Sequence, residues 1–340
     1  MSTKKLSTSR RTLLKGTAAS AAIAPFFIGR SAKAADTIVV KVATVAPRDT
    51  FWGRLASKFS KHVEKRSAGA IDVKTFFGGA LGSEQAAAEM ALLGKVEIYA
   101  GSMGGASQIV PELAAFELPY LMSSRKVGQK ALVANRTLVH DIMWDAGFKL
   151  VMFSENGMQD IGVNRPVEKP SDLKGLKIRA LESQVHMDTI KSWGASASPM
   201  GTTEVLPSLQ TGVIDGFTNT ALFALAAAWL TGVTHWTVSQ HCYQPAVVAI
   251  SRKFWEGLAP ELQEAFGLES EEVEKMQKRG FVGLDAMESQ LRQNIVDLGI
   301  ELHEPDLEPW RKLAPAVHKE FRKQTTKQGK ALLDAILKSV

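Results

Sequence analysis

Short runs rich in β-branched residues alternate along this chain with amphipathic helical repeats, and glycines mark the changeovers. Residues 38–44 read as a strand, followed by a helical pattern over 51–65 in which Leu55, Phe59 and Val63 recur every four residues. A second strand, 71–77, ends at Gly78-Gly79; a helix over 83–93 stops at Gly94, and a third strand covers 96–100. The same order returns as strand 176–181, helix 185–193, strand 197–200, helix 204–210 closed by Gly212, and strand 213–217. Such alternation requires parallel β-α-β units with right-handed crossovers. Both stretches share a local rhyme of helix, glycine stop and short strand, Glu84…Gly94-Lys95-Val96-Glu97-Ile98 and Glu204…Gly212-Val213-Ile214-Asp215-Gly216. The fold class is therefore α/β, and two similar lobes imply a cleft between them.

The rest of the chain is placed around these units. Residues 149–153 read as a strand, 166–172 as a proline-interrupted loop, 222–230 as a helix and 239–250 as a strand that crosses back. One or two long helices are expected over 261–298, with further helices over 307–321 and 327–337. The lobes then comprise residues 35–156 with about 243–285, and residues 157–242 with about 286–340. The size fits, because the 306 residues after position 34 exceed the usual single core.

Residues 1–34 read as an export signal rather than as part of the fold. Lys4, Lys5, Arg10, Arg11 and Lys15 precede a small apolar run over 17–28, and Ala32-Lys33-Ala34 is a small-x-small cleavage site. Ser9-Arg10-Arg11-Thr12-Leu13-Leu14-Lys15 matches the twin-arginine pattern. The apolar run of about a dozen residues is well short of the roughly 20 that span a bilayer. Seven of the 41 bases and none of the 35 acids lie in this segment, so the remainder carries 34 bases against 35 acids. The basic balance thus belongs to the signal, and no basic surface with interleaved aromatics suggests nucleic acid as a partner. A single cysteine, Cys242, excludes an internal disulfide and reads as a buried structural thiol.

Ligands of open α/β sheets sit at the carboxyl ends of strands, which selects three places. In Lys177-Ile178-Arg179 the neighbours Leu176, Ile178 and Ala180 alternate onto one face and leave Arg179 on the other. A guanidinium holds a carboxylate through two parallel hydrogen bonds; a solvated strand arginine is the plainer alternative. Asn219, after Asp215-Gly216, offers a donor and an acceptor or else caps the following helix. Phe77-Gly78-Gly79-Ala80-Leu81-Gly82-Ser83-Glu84 has the outline of an anion cradle but lacks nucleotide-binding spacings, so a structural turn is favoured. Enzyme signals are poor: the histidines are dispersed, and Ala100-Gly101-Ser102-Met103-Gly104 misses the nucleophile elbow. His235 and His241 with Cys242 form a weak metal candidate, and core or cleft-wall histidines are favoured over it. Neither a metal nor a cofactor is expected.

Together, residues 77–84, Phe116-Glu117-Leu118-Pro119-Tyr120-Leu121, Ser171 through Arg179, Gly194-Ala195 with Pro199-Met200, and Glu204 through Gly216 resemble the TRAP-transporter solute-binding family. The resemblance implies a two-lobed periplasmic-binding-protein-like fold with a ligand cleft and a long connecting helix. It implies a periplasmic, monomeric protein that binds a small organic acid and hands it to membrane permease subunits. It places the carboxylate-holding arginine on Arg179 and the cleft asparagine on Asn219. This chain has Gln159 where many members carry a second arginine, and Thr218 where they carry Glu or Gln. A neutral amide cannot compensate a second buried carboxylate, and Phe217 and Trp52 are expected as apolar walls. A monocarboxylate is therefore expected, unless His241, Arg48 or Arg54 supplies a second charge from the facing lobe. A ligand-sensing partner of a signalling receptor, and more remotely a periplasmic enzyme, remain as alternatives.

Replacing Arg10 and Arg11 together by lysine should strand the precursor inside the cell, because the paired guanidiniums carry the twin-arginine signal. Fractionation and immunoblotting check this, and normal export with processing near Ala34 would refute the assignment.

Overall fold

Among the residues that the computed structural model describes, 37–285 and 287–340, nine strands form one sheet. The proposed export segment lies outside the described residues. In chain order the strands are β1 (Ile38–Ala43), β2 (Ile71–Phe76), β3 (Ile98–Ser102), β4 (Phe148–Val163), β5 (Lys177–Ala180), β6 (Ser196–Pro199), β7 (Gly216–Thr220), β8 (His235–Ser251) and β9 (Glu301–His303). Their spatial order is β2-β1-β3-β8-β4-β7-β5-β6, with β9 beside β8. The expected β-α-β units appear as parallel pairs on each flank, β2-β1-β3 and β7-β5-β6. Long antiparallel strands β8 and β4 join the flanks.

Period-2 patterning buries both faces of this sheet. On β8, Ala246, Val248 and Ile250 enter one core with Trp52, Phe59 and Val63 of the Phe51–Arg66 helix. Val247 and Ala249 enter the opposite core with Phe116 and Phe153. The other flank repeats the scheme. Phe217, Trp229 and Trp236 fill one face, while Ile161, Ile178, Trp193 and Trp310 fill the other. Each fully buried large apolar side chain of this kind contributes about 1.5–3 kcal/mol.

Several sequence expectations shift. The strand expected over 149–153 runs on to Val163, because β8 supplies a partner along its whole length. The lobe boundary expected at 156/157 thus falls inside a continuous strand. It coincides with a bulge between Glu155 and Gly157, where Gly157 has φ +109°. The strand expected over 213–217 begins only at Gly216, and Val213 is 54% exposed. Asp215 holds that turn by accepting from the Lys177 backbone N–H at 2.7 Å. The helical stretch expected over 261–298 divides into Pro260–Ala265, Glu271–Asp285 and Glu288–Asp297. Helices Arg125–Ala134 and Arg136–Asp145, and strand β9, have no counterpart among the expectations. No helix among the described residues is long and apolar enough to cross a membrane.

Candidate functional site

The carboxyl ends of the two parallel flanks meet at one place. Ser83 Oγ lies 3.5 Å from Glu182 Oε1, and Gln108 Nε2 donates to the Glu182 carbonyl at 3.1 Å. Beside this contact, at Glu84, lies a small cleft with a cavity volume of about 30 Å³. Trp52, Glu84 and Gly101 line it from one flank, and Asn156, Thr220 and Phe223 from the other side.

Arg179 is 1% exposed and points to the face opposite Ile178 and Ala180, as the alternation requires. Its Nε and Nη2 both donate to the Met200 carbonyl, at 3.2 and 3.0 Å, and its guanidinium sits 5.1 Å from the Trp229 ring centroid. Among the described residues no carboxylate forms an ion pair with it. Burial lowers its pKa to about 10, opposed by the charges of Glu84, Glu182 and Glu204, so it stays cationic at neutral pH.

The register places Phe217 and Asn219 on the same face as Arg179, since Arg179 pairs with Phe217 and side chains two apart share a side. Phe217 is core: it packs edge-on against Trp229 at 5.2 Å and beneath Trp236. Asn219 Oδ1 accepts from the Thr220 N–H at 2.7 Å. Thr220, not Asn219, caps the Ala221–Ala226 helix through its hydroxyl. Gln159 and His241 lie on the other face. Gln159 pairs with Thr220 and Cys242, is 1% exposed, and its Oε1 has no partner. His241 stands edge-on to Trp193 at 4.9 Å and shares a 2.8 Å hydrogen bond with Ser239. Burial, with His186 second, pushes its pKa down to about 3, so it is a neutral imidazole. Trp52 lines the cavity, and its buried indole N–H is likewise unpartnered.

Two buried carboxylates were not singled out from the sequence. Glu84 follows the Ser83 cap of the Glu84–Leu92 helix, and accepts from the Ser102 N–H and hydroxyl at 2.7 and 2.6 Å. Burial raises its pKa, against the pull of Ser102 and of Arg179. Glu117 accepts from the Gly104 N–H at 2.7 Å and meets His186 Nε2. A Cβ at Gly104 would stand 2.2 Å from Glu117 Oε2, which explains the glycine in Gly101-Ser102-Met103-Gly104 without any nucleophile. Ser102 instead caps a helical turn, accepting from the Gly105 N–H at 2.9 Å. The helix-turn-strand pattern around residues 83–102 was the available signal for Glu84, but nothing local distinguished it from a solvated helix start.

Residues 42–324 match the family described as bacterial extracellular solute-binding protein, family 7. The chain is 30% identical to the C4-dicarboxylate-binding periplasmic protein DctP of Rhodobacter capsulatus, over 84% of this chain and 87% of that protein. A solute-binding protein of Verminephrobacter eiseniae is 31% identical, over 69% and 70%. Among solved structures, a TRAP periplasmic solute-binding protein from Polaromonas sp. JS666, bound to D-erythronate, superposes with a TM-score of 0.81 at 26% identity. That match covers 88% of this chain and 98% of the other.

A buried cation that no carboxylate balances is an electrostatic cost to the fold. Arg179→Met should therefore stay within about 1.5 kcal/mol of the parent in denaturant unfolding, the lost Met200 hydrogen bonds offsetting the relief. A loss above about 3 kcal/mol would mean that the fold itself needs the guanidinium.

Proposed function

Because the chain belongs to family 7 of the bacterial extracellular solute-binding proteins, we propose that it captures a small monocarboxylate on Arg179 and delivers it to a TRAP membrane permease. The members of this family are binding proteins rather than enzymes. The observation that carries the reading is Arg179 itself, a buried guanidinium without a carboxylate partner among the described residues. An incoming carboxylate supplies the missing counter-charge, and desolvation makes the pair strong and directional. Asn219 stands on the same face to hold a second polar group of the ligand. Export by the twin-arginine leader, which would bring the protein to the periplasm, is part of the same proposal.

The preference for one carboxylate rests on the groups that could balance a second. Gln159 is a neutral amide. His241 is uncharged with its pKa near 3. Arg48 lies over the Phe77 ring, and Arg54 is tied to the Asp49 carbonyl. Relatives include both a C4-dicarboxylate binder and an erythronate complex, so the choice within the family is open to this local chemistry. A hydroxyl or keto group on the ligand suits the unpartnered indole N–H of Trp52, which lines the cavity, whereas Gln159 points to the opposite face of the sheet.

Ligand binding closes the cleft by flexing β4 and β8 about the bulge at Gly157, the one point where the expected lobe boundary and a positive-φ glycine coincide. Small-angle scattering should show a smaller radius of gyration with ligand, and superimposed profiles would exclude closure.

Calorimetry with lactate-like, 2-oxo and polyhydroxy monocarboxylates beside succinate and malate tests the ligand class. Tight binding of succinate or malate with no monocarboxylate response would reject it. Arg179→Ala should cost about 30-fold to several thousandfold in affinity, roughly 2–5 kcal/mol. Arg179→Lys should recover little, because an ammonium lacks the planar fork. An alanine variant that binds within about threefold of the parent, well under 1 kcal/mol, would refute the anchor.

A further inference from the structure

Where β9 meets the start of β8, two histidines and a carboxylate converge away from the candidate cleft. His235 pairs in register with Glu301, and His303, two residues on, shares the side of Glu301. His235 Nδ1 lies 2.9 Å from His303 Nε2. Glu301 brings one oxygen to 3.7 Å from His235 Nδ1 and the other to 3.5 Å from His303 Nε2. With one Glu301 oxygen as the third donor, all three donor atoms lie within 4.8 Å of one another, and a turn of the exposed carboxylate brings them to the roughly 3.3–3.4 Å edge of a tetrahedral zinc site with bonds of about 2.0–2.1 Å.

The surroundings prepare the same chemistry. His303 Nδ1 lies 2.8 Å from Glu168 Oε1, and a carboxylate acceptor keeps the proton on Nδ1 and the lone pair of Nε2 facing inward. This is the outer contact that orients metal-binding imidazoles in general. The two imidazoles are mostly covered, while Glu301 is 65% exposed, so a fourth position stays open to water.

We propose that His235, His303 and Glu301 form a zinc site, with Glu168 as the positioning residue for His303. In the metal-free protein His235 Nδ1–H donates to His303 Nε2. On binding, that proton shifts to His235 Nε2 through solvent, and both inward lone pairs take the metal. The ion clasps β9 to β8. The pairing of His235 with His241 and Cys242 considered from sequence is replaced, since His241 faces Ser239 and Trp193 instead. A second cluster with metal-binding donors, Glu117, His186 and Cys242, is fully buried, and its groups already hydrogen-bond to one another and to Gly104.

Tag-free full-length protein, stripped with chelator and dialysed, should bind one zinc ion per chain with a Kd of about 10 µM or tighter. It should also give the intense visible absorption of four-coordinate cobalt when cobalt replaces zinc. His235→Ala and Glu301→Gln should each weaken zinc by about 100-fold, and Glu168→Gln by about 10–100-fold. Cys242→Ser should leave binding intact. Circular dichroism and melting verify that each variant folds; Glu301→Gln, altering an exposed side chain, keeps the test decisive if a histidine variant does not. Failure to bind zinc below about 100 µM, equal binding by the folded variants, or loss of binding in Cys242→Ser would overturn the site.

Discussion

The β4–β8 ladder is the interaction on which the rest of the molecule depends. These are the two strands long enough to run through both flanks, and their antiparallel pairing extends from Phe148↔Ser251 to Val163↔His235. A plain ladder of that length would carry one alternation from end to end. Three register shifts interrupt it, between Leu150 and Met152, Glu155 and Gly157, and Gln159 and Ile161. The first lets Val151 and Met152 both serve one core while Leu150 and Phe153 serve the other. The second brings Glu155 inward, where Arg125 Nε at 3.0 Å and Gln129 at 2.9 Å hold its buried carboxylate. Burial still raises the pKa of Glu155 against the pull of Arg125, so breaking the pair would leave a desolvated group at a cost of about 3–5 kcal/mol.

From this ladder follows the electrostatic arrangement of the candidate site. The flanks put the ends of β5 and β7 opposite the turn that precedes the Glu84–Leu92 helix. Arg179 therefore feels Glu84, Glu182 and Glu204 through the protein without forming an ion pair with any of them. Glu84 is spent on Ser102, and Arg179 on the neutral Met200 carbonyl. A cation held in place by a carbonyl, with acids near but otherwise engaged, keeps its charge uncompensated and is not collapsed onto an internal partner.

The same economy of partners separates the two histidine groupings. His241 is enclosed by Trp193 and the Ser239 hydroxyl, and desolvation keeps it neutral. His303 is held by Glu168 on one nitrogen and faces His235 with the other. Burial among aromatics makes an imidazole a wall; a carboxylate behind it fixes the ring's orientation and leaves the other nitrogen facing its neighbour.

Much of this was written locally in the chain. Alternating Leu176, Ile178 and Ala180 sufficed to put Arg179 on the opposite face of β5, because side-chain direction in a strand has period two whatever its neighbours are. The repeated helix, glycine stop and strand predicted the parallel flanks, and Gly94 and Gly212 indeed share φ near +70°. Pairing between distant strands was not written locally. Only β8, more than 70 residues downstream, extends β4 past residue 153 and determines that Gln159 and His241 face away from Asn219. Glu84 and Glu117 gained their buried roles from Ser102 and Gly104, and β9 exists only because β8 offers it an edge at His235. Local pattern decides what a segment is and which way its side chains point; which groups meet depends on register across long sequence separations, and that belongs to the tertiary structure.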